Sequence, residues 1–188
     1  MNPTVSNISE DGDVYKFTLS DINISLANAI RRTILSDIPT LAFDAENKDY
    51  CKIDKNTGRL HNEILKHRLC CIPIHMNELD ILPGNYTMEL DMRNDGDNMI
   101  YVTTENFKIK NKTNGNYLTE EETRKIFPPS IKTNMYIDFA RLRPKIGPTI
   151  PGEHIKLTCE FTLRTAKDNS TTQDIRLANS ADSWKEPL

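Results

Sequence analysis

Glycine is scarce in this chain, with 7 in 188 residues, and none of them stands in a Gly-x-Gly-x-x-Gly, Gly-Lys-Ser/Thr or Gly-x-Ser-x-Gly setting. Nucleotide hydrolysis and acyl transfer therefore lack their usual backbone platforms, and no catalytic centre is visible. No apolar run approaches the ~18 residues of a membrane span, and the polar Met1 to Asp13 segment lacks the apolar core of a signal peptide. Neither charge dominates: 24 basic and 27 acidic residues leave a net charge of −3. That balance supplies no positive field for a nucleic-acid backbone, so direct nucleic-acid contact is not expected. The 4 cysteines show no Cys-x-x-Cys spacing, and reduced thiols are the default for a soluble intracellular chain. The length suits one medium domain or two small ones, enough to bury a core without staples.

What the chain does contain is one strongly periodic stretch, Ser25 to Ile38. Leu26, Ile30, Ile34 and Ile38, with Ala29 and Thr33 beside them, follow a period near 3.6 residues, which predicts an amphipathic helix. Ser25 is placed to cap its start and Pro39 to stop it. The outer face carries Asn28, Arg31 and Arg32, two adjacent guanidinium groups on a rigid element. From pattern alone, a core helix with solvated arginines is the plain reading.

Before this helix, Tyr15, Phe17 and Leu19 alternate as a half-buried strand, and Thr40 to Ala45 after it reads as a second strand. Composition turns polar over 46–58, where the Asn56-Thr57-Gly58 turn places a subdomain boundary. Asn62 to Leu69 predicts a short helix with Glu63 and His67 one turn apart, ended by Ile72-Pro73-Ile74. Tyr86, Met88, Leu90 and Met92 alternate, Asn94-Asp95-Gly96-Asp97 breaks the pattern, and Met99 to Thr103 resumes it, which predicts a β-hairpin. Asn114-Gly115 marks a turn, Thr119 and Glu122 form a capping box ahead of a helix ending near Phe127, and Ile155, Leu157, Cys159 and Phe161 alternate as a strand. No period of either kind shows from Thr171 to Leu188.

Two clusters invite a metal. His61, His67, Cys70, Cys71 and His75 crowd one stretch, with Cys51 upstream, but no pair has zinc-ligand spacing, and buried small thiols are the better account. Asp91, Asp95 and Asp97 surround a turn that favours Asn, Asp and Gly for backbone reasons, so a solvated loop is expected there.

The run Leu26-Ala27-Asn28-Ala29-Ile30-Arg31-Arg32, followed by Ile38-Pro39-Thr40-Leu41-Ala42-Phe43-Asp44, resembles the signature helix of the α-like assembly subunits of RNA polymerase. Asn62-Glu63-Ile64-Leu65-Lys66-His67-Arg68-Leu69 running into Ile72-Pro73-Ile74 is a second match, closer to the archaeal and eukaryotic members than to the bacterial one. The Leu142-Arg143-Pro144 stretch and the strand after it also look like the closing strands of the family's insert. The resemblance implies an α+β fold: a strand-helix-strand dimerisation subdomain interrupted by a mostly antiparallel β insert. It assigns residues 1–46 to the first dimerisation half, 47–168 to the insert and 169–188 to an irregular tail. The return to the dimerisation subdomain that the family makes after its insert is not recognisable, which leaves a fragment, half of a split subunit or a diverged form open.

By the same resemblance the function is a non-catalytic assembly subunit of a multi-subunit DNA-directed RNA polymerase, with no cofactor and no membrane contact. Its partners are a smaller α-like subunit, giving a heterodimer, and the β-like second-largest subunit. Leu26, Asn28, Ile30, Arg31, Arg32, Ile34 and Leu35 on the first helix, and Glu63, His67 and Arg68 on the second, are the implied partner-binding residues. Two alternatives stand beside this reading: a His/Cys metal-dependent enzyme, and an interaction module that has left the polymerase. The abundance of Asn, Lys, Asp and Ile suits an AT-rich genome such as that of a large DNA virus, with a nuclear location otherwise and a cytoplasmic or virion one in that case.

Overall fold

A computed structural model describes residues 2–11, 14–76, 85–147 and 149–165. The tail expected at 169–188, and the question of a return to the dimerisation subdomain within it, lie outside the described residues. The chain forms two compact units that part between Pro39 and Thr40.

The first unit opens with an antiparallel hairpin of β1 (Thr4–Asp11) and β2 (Val14–Ser20), where Val5 faces Leu19 and Glu10 faces Tyr15. The register slips between Ser6 and Ser9, and Asn7 there takes φ 52°, a left-handed conformation that Asn tolerates better than most residues. β1 carries no alternating pattern in its sequence, because its apolar residues Val5 and Ile8 fall out of step across the bulge. Helix α1 (Ile24–Ser36) follows. Its cap is Asn23 and not Ser25: the Asn23 Oδ1 accepts from the Ser25 amide at 2.8 Å, and the Asn23 carbonyl accepts from the Ala27 amide at 2.9 Å. The helix closes at Asp37, whose amide donates to the Thr33 carbonyl at 2.9 Å, so Ile38 stands beyond the last turn.

The second unit is built on β9 (His154–Arg164), the longest strand among the described residues. One edge of β9 pairs with β5 (Tyr86–Arg93); the other takes β4 (Cys51–Asn56) along its first half and β3 (Thr40–Phe43) along its second. β7 (Lys108–Asn111) lies outside β5, and every pairing is antiparallel. β6 (Ile100–Thr103) and β8 (Asp138–Leu142) form a separate two-stranded sheet. The expected strand–helix–strand order is present, but β3 hydrogen-bonds to β9 and therefore belongs to the larger unit.

The expected hairpin of β5 with β6 does not form, and Asn94 explains why. Asn94 is buried, its Nδ2 donates to the carbonyls of Asn98 (2.8 Å) and Leu142 (2.9 Å), and its amide donates to the Glu153 carbonyl at 2.9 Å. These bonds turn the chain away from β5 and hand it to β8. β4 was equally hidden, since Cys51 to Asn56 mixes three charges with two apolar residues in a stretch that reads as a polar connection.

The core lies between the inner face of the five-stranded sheet and helix α2 (Asn62–Cys70), which buries Leu65, Leu69 and Cys70. Phenylalanines from five parts of the chain meet there: Phe43 lies 5.2 Å from Phe161 and 6.1 Å from Phe127, and Phe107 lies 5.7 Å from Phe139, ring centre to ring centre. Helix α3 (Glu120–Ile126) has the predicted capping box, with the Thr119 amide donating to Glu122 at 2.8 Å. A buried Asp44 accepts from the Arg164 guanidinium where β3 meets the end of β9.

Candidate subunit interface

No described residue before Thr40 is buried, so hairpin and helix each carry an apolar face without a core of their own. On α1, Leu26 is 52%, Ile30 37% and Ile34 48% exposed, and Ile24 at the first turn is 87% exposed. On the hairpin, Tyr15 and Phe17 are likewise exposed and rest their rings 6.1 Å apart. Strand β2 alternates as its sequence predicts, but Tyr15 and Phe17 are not half-buried. An apolar stripe on one helix, exposed at every position, is the composition of an interface more than of a solvated surface.

The polar side of α1 is partly preset. Arg31 donates to the Asn28 side chain through Nε (3.2 Å) and Nη2 (2.9 Å), one turn earlier on the helix. That contact holds its guanidinium plane on the outer face; Arg32, the next residue and so about 100° round the axis, is exposed as well. Leu35 is half-buried, away from the fully presented stripe.

On α2, Glu63 and His67 are exposed, while Arg68 donates from Nη2 to the Asp138 carbonyl at 2.7 Å. Arg68 thus ties α2 to the start of β8 inside the second unit, a role that its place in a charged helix segment does not reveal. The structure therefore presents the predicted residues as two separate sets, one on each unit.

The His/Cys stretch disperses. The Cys70 thiol is buried and lies 3.3 Å from the Phe43 carbonyl, burial pushes its pKa up, and His61 and His67 point outward. Among the described residues no three His, Cys, Asp or Glu side chains gather as a metal site. The acidic turn is not merely solvated: Asp91 bonds His154 Nε2 (2.6 Å) and Lys156 Nζ (3.2 Å), Asp95 bonds Arg93 (2.7 Å), and Asp97 sits 3.6 Å from Lys145. No helix among the described residues is long and apolar enough to cross a membrane.

Residues 16–168 match the family described as the RNA polymerase Rpb3/Rpb11 dimerisation domain. The chain is 37% identical over 102 residues to the DNA-directed RNA polymerase subunit Rpo3 of Pyrococcus furiosus, covering 52% of this chain and 37% of that protein. It is 35% identical over 91 residues to the DNA-directed RNA polymerase II subunit RPB3 of Schizosaccharomyces pombe, covering 47% of this chain and 28% of that one. A third relative, the DNA-directed RNA polymerases I and III subunit rpac1 of Dictyostelium discoideum, is 38% identical over 76 residues, covering 40% and 21%. The chain thus spans well under half the length of the curated relatives it matches.

Proposed function

The chain belongs to the RNA polymerase Rpb3/Rpb11 dimerisation-domain family, and from that premise we propose that it is a non-catalytic assembly subunit of a multi-subunit DNA-directed RNA polymerase. Its work is scaffolding: it pairs with a smaller α-like subunit and docks the β-like large subunit. The observation that carries this reading is α1, a helix of 13 residues with none buried and an apolar stripe at Leu26, Ile30 and Ile34. Covering such a stripe stabilises by about 25 cal/mol per Å² of apolar surface removed from water, before the costs of association.

In this reading residues 1–46 are the first half of the dimerisation subdomain and 47–168 the insert; the two compact units part earlier, at Pro39, so that β3 pairs with β9. Arg31 and Arg32 meet carboxylates or carbonyls of the β-like subunit, where a forked guanidinium selects geometry as well as charge. Glu63, His67 and the outer side of Arg68 are the partner-binding residues of the insert. The protein acts inside the cell, where transcription takes place, and its Asn- and Lys-rich composition is the support for a viral source.

Co-expression with a smaller α-like subunit tests the pairing. A 1:1 complex by sedimentation, formed through α1 and lost when its stripe is charged, is the expected result; a stable monomer that gains nothing from the partner overturns the proposal.

A further inference from the structure

We propose that Cys51 and Cys159 close into a reversible cross-strand disulfide when the chain meets a small-molecule disulfide such as glutathione disulfide. The two residues stand directly opposite each other in the antiparallel β4–β9 register. One step along, the Glu160 amide donates to the Tyr50 carbonyl at 2.8 Å, which makes Tyr50 and Glu160 a hydrogen-bonded pair. By the alternation of antiparallel ladders, Cys51 and Cys159 are then a non-hydrogen-bonded pair, the class in which α-carbons approach to about 4.5 Å and side chains come closest. That separation lies within the range of about 4.4–6.8 Å that a disulfide bridges without backbone movement. Both side chains point to the inner face of the sheet, 3% and 0% exposed.

The pair is also chemically unequal in a way that suits exchange. A hydrogen bond from Cys159 holds the Cys51 thiol below its ordinary pKa against the effect of burial, while the same bond, and burial after it, push Cys159 up. The Cys159 thiol also donates to the Glu160 carbonyl, at 3.7 Å. Cys51 is therefore the attacking thiolate. Among the described residues β4 has β9 as its strand partner, so Cys51 lies on a sheet edge, and local opening of that edge exposes it to the oxidant.

The Cys51 thiolate attacks one sulfur of glutathione disulfide, forming a mixed disulfide and releasing one glutathione thiolate, which takes up a proton. Cys159 then loses its proton and attacks the Cys51 sulfur, releasing the second glutathione, which is protonated in turn. Two protein thiols are oxidised and one disulfide is reduced to two glutathione thiols. The product locks β4 to the central strand and closes the chain from Cys51 to Cys159 into a long loop, which restricts the unfolded state and raises Tm.

The test incubates the full chain with glutathione disulfide below its Tm, alkylates the remaining thiols, digests without reduction and maps the peptides by mass spectrometry. The expected result is a Cys51–Cys159 linked peptide, reversed by dithiothreitol, with Tm raised by several degrees in the oxidised protein. The same link persists in a Cys70→Ser/Cys71→Ser variant; if that variant does not fold, the map of the unaltered chain decides alone. Glutathione found only on Cys71, a link from Cys51 to Cys70, or a link that forms only above Tm overturns the proposal.

Discussion

Gly152 is seated so closely against Asn94 that a β-carbon on it would lie 1.6 Å from the Asn94 carbonyl oxygen and 2.8 Å from its carbonyl carbon. The obstacle is backbone, and it is held by the bond from the Asn94 amide to the Glu153 carbonyl next door. Gly152→Ala must therefore force the 142–153 segment off the β5 turn, at a cost of about 3 kcal/mol, the upper end of ordinary overpacking. Urea unfolding of the second unit checks it; a variant within about 0.5 kcal/mol of the parent contradicts the close approach.

Arg31→Ala together with Arg32→Ala leaves thermal stability and pairing with the α-like partner nearly unchanged, since exposed charges add little to folding. Capture of the β-like subunit falls at least roughly tenfold, equivalent to ~1.4 kcal/mol. Co-purification with each partner separately measures the two steps. Normal recruitment of the large subunit removes these arginines from the interface.

Ile30→Asp with Ile34→Asp does the reverse, abolishing the pairing by placing charges in an apolar seam. Both side chains are already more than a third exposed in the single chain, at 37% and 48%. The melting of the second unit should therefore stay where it is, and circular dichroism with sedimentation separates loss of pairing from loss of fold.

Arg68→Ala removes the bond to the Asp138 carbonyl and lowers stability by about 1 kcal/mol, the usual net worth of one hydrogen bond. A thermal melt of the isolated chain reads this without any partner. No shift in Tm would assign Arg68 to docking alone.

The bonds from His154 and Lys156 hold the Asp91 carboxyl below its ordinary pKa. A depressed folded-state pKa contributes stability that is present above the unfolded-state value, near 3.9 for Asp, and is lost as pH falls through the folded-state one. Asp91→Asn should thus cost less than about 1 kcal/mol at neutral pH, because the pair is exposed, and nothing once the medium is acidic enough to protonate Asp91 in the parent. Paired urea titrations at the two pH values check it; a gap that widens in acid has the wrong sign.

Much of the architecture was legible because it is local. The 3.6 period of α1, the alternation of β9 and the reciprocal bonds of Thr119 and Glu122 are each written within a dozen residues, and each formed as its pattern required. The cap of α1 was misplaced by two residues because Asn23 and Ser25 are both good caps, and only the backbone turn shows which oxygen meets an amide. The apparent hairpin after Tyr86 failed for a different reason: Asn94 does form a local turn, accepting from the Gly96 amide and donating to the Asn98 carbonyl, but it also bonds Leu142 and Glu153, some fifty residues on, and no local pattern carries that information.

The interface residues divide in the same way. Sequence by itself determined that an apolar stripe and an Asn-Arg-Arg face occupy opposite sides of one helix, because periodicity alone sorts side chains around an axis. Only the tertiary structure decided that this stripe stays exposed while the equally apolar strands β5 and β9 are covered, and that Cys51 stands opposite Cys159. Burial and register depend on which distant segments meet, and those meetings are set by the whole chain's packing rather than by any stretch of it.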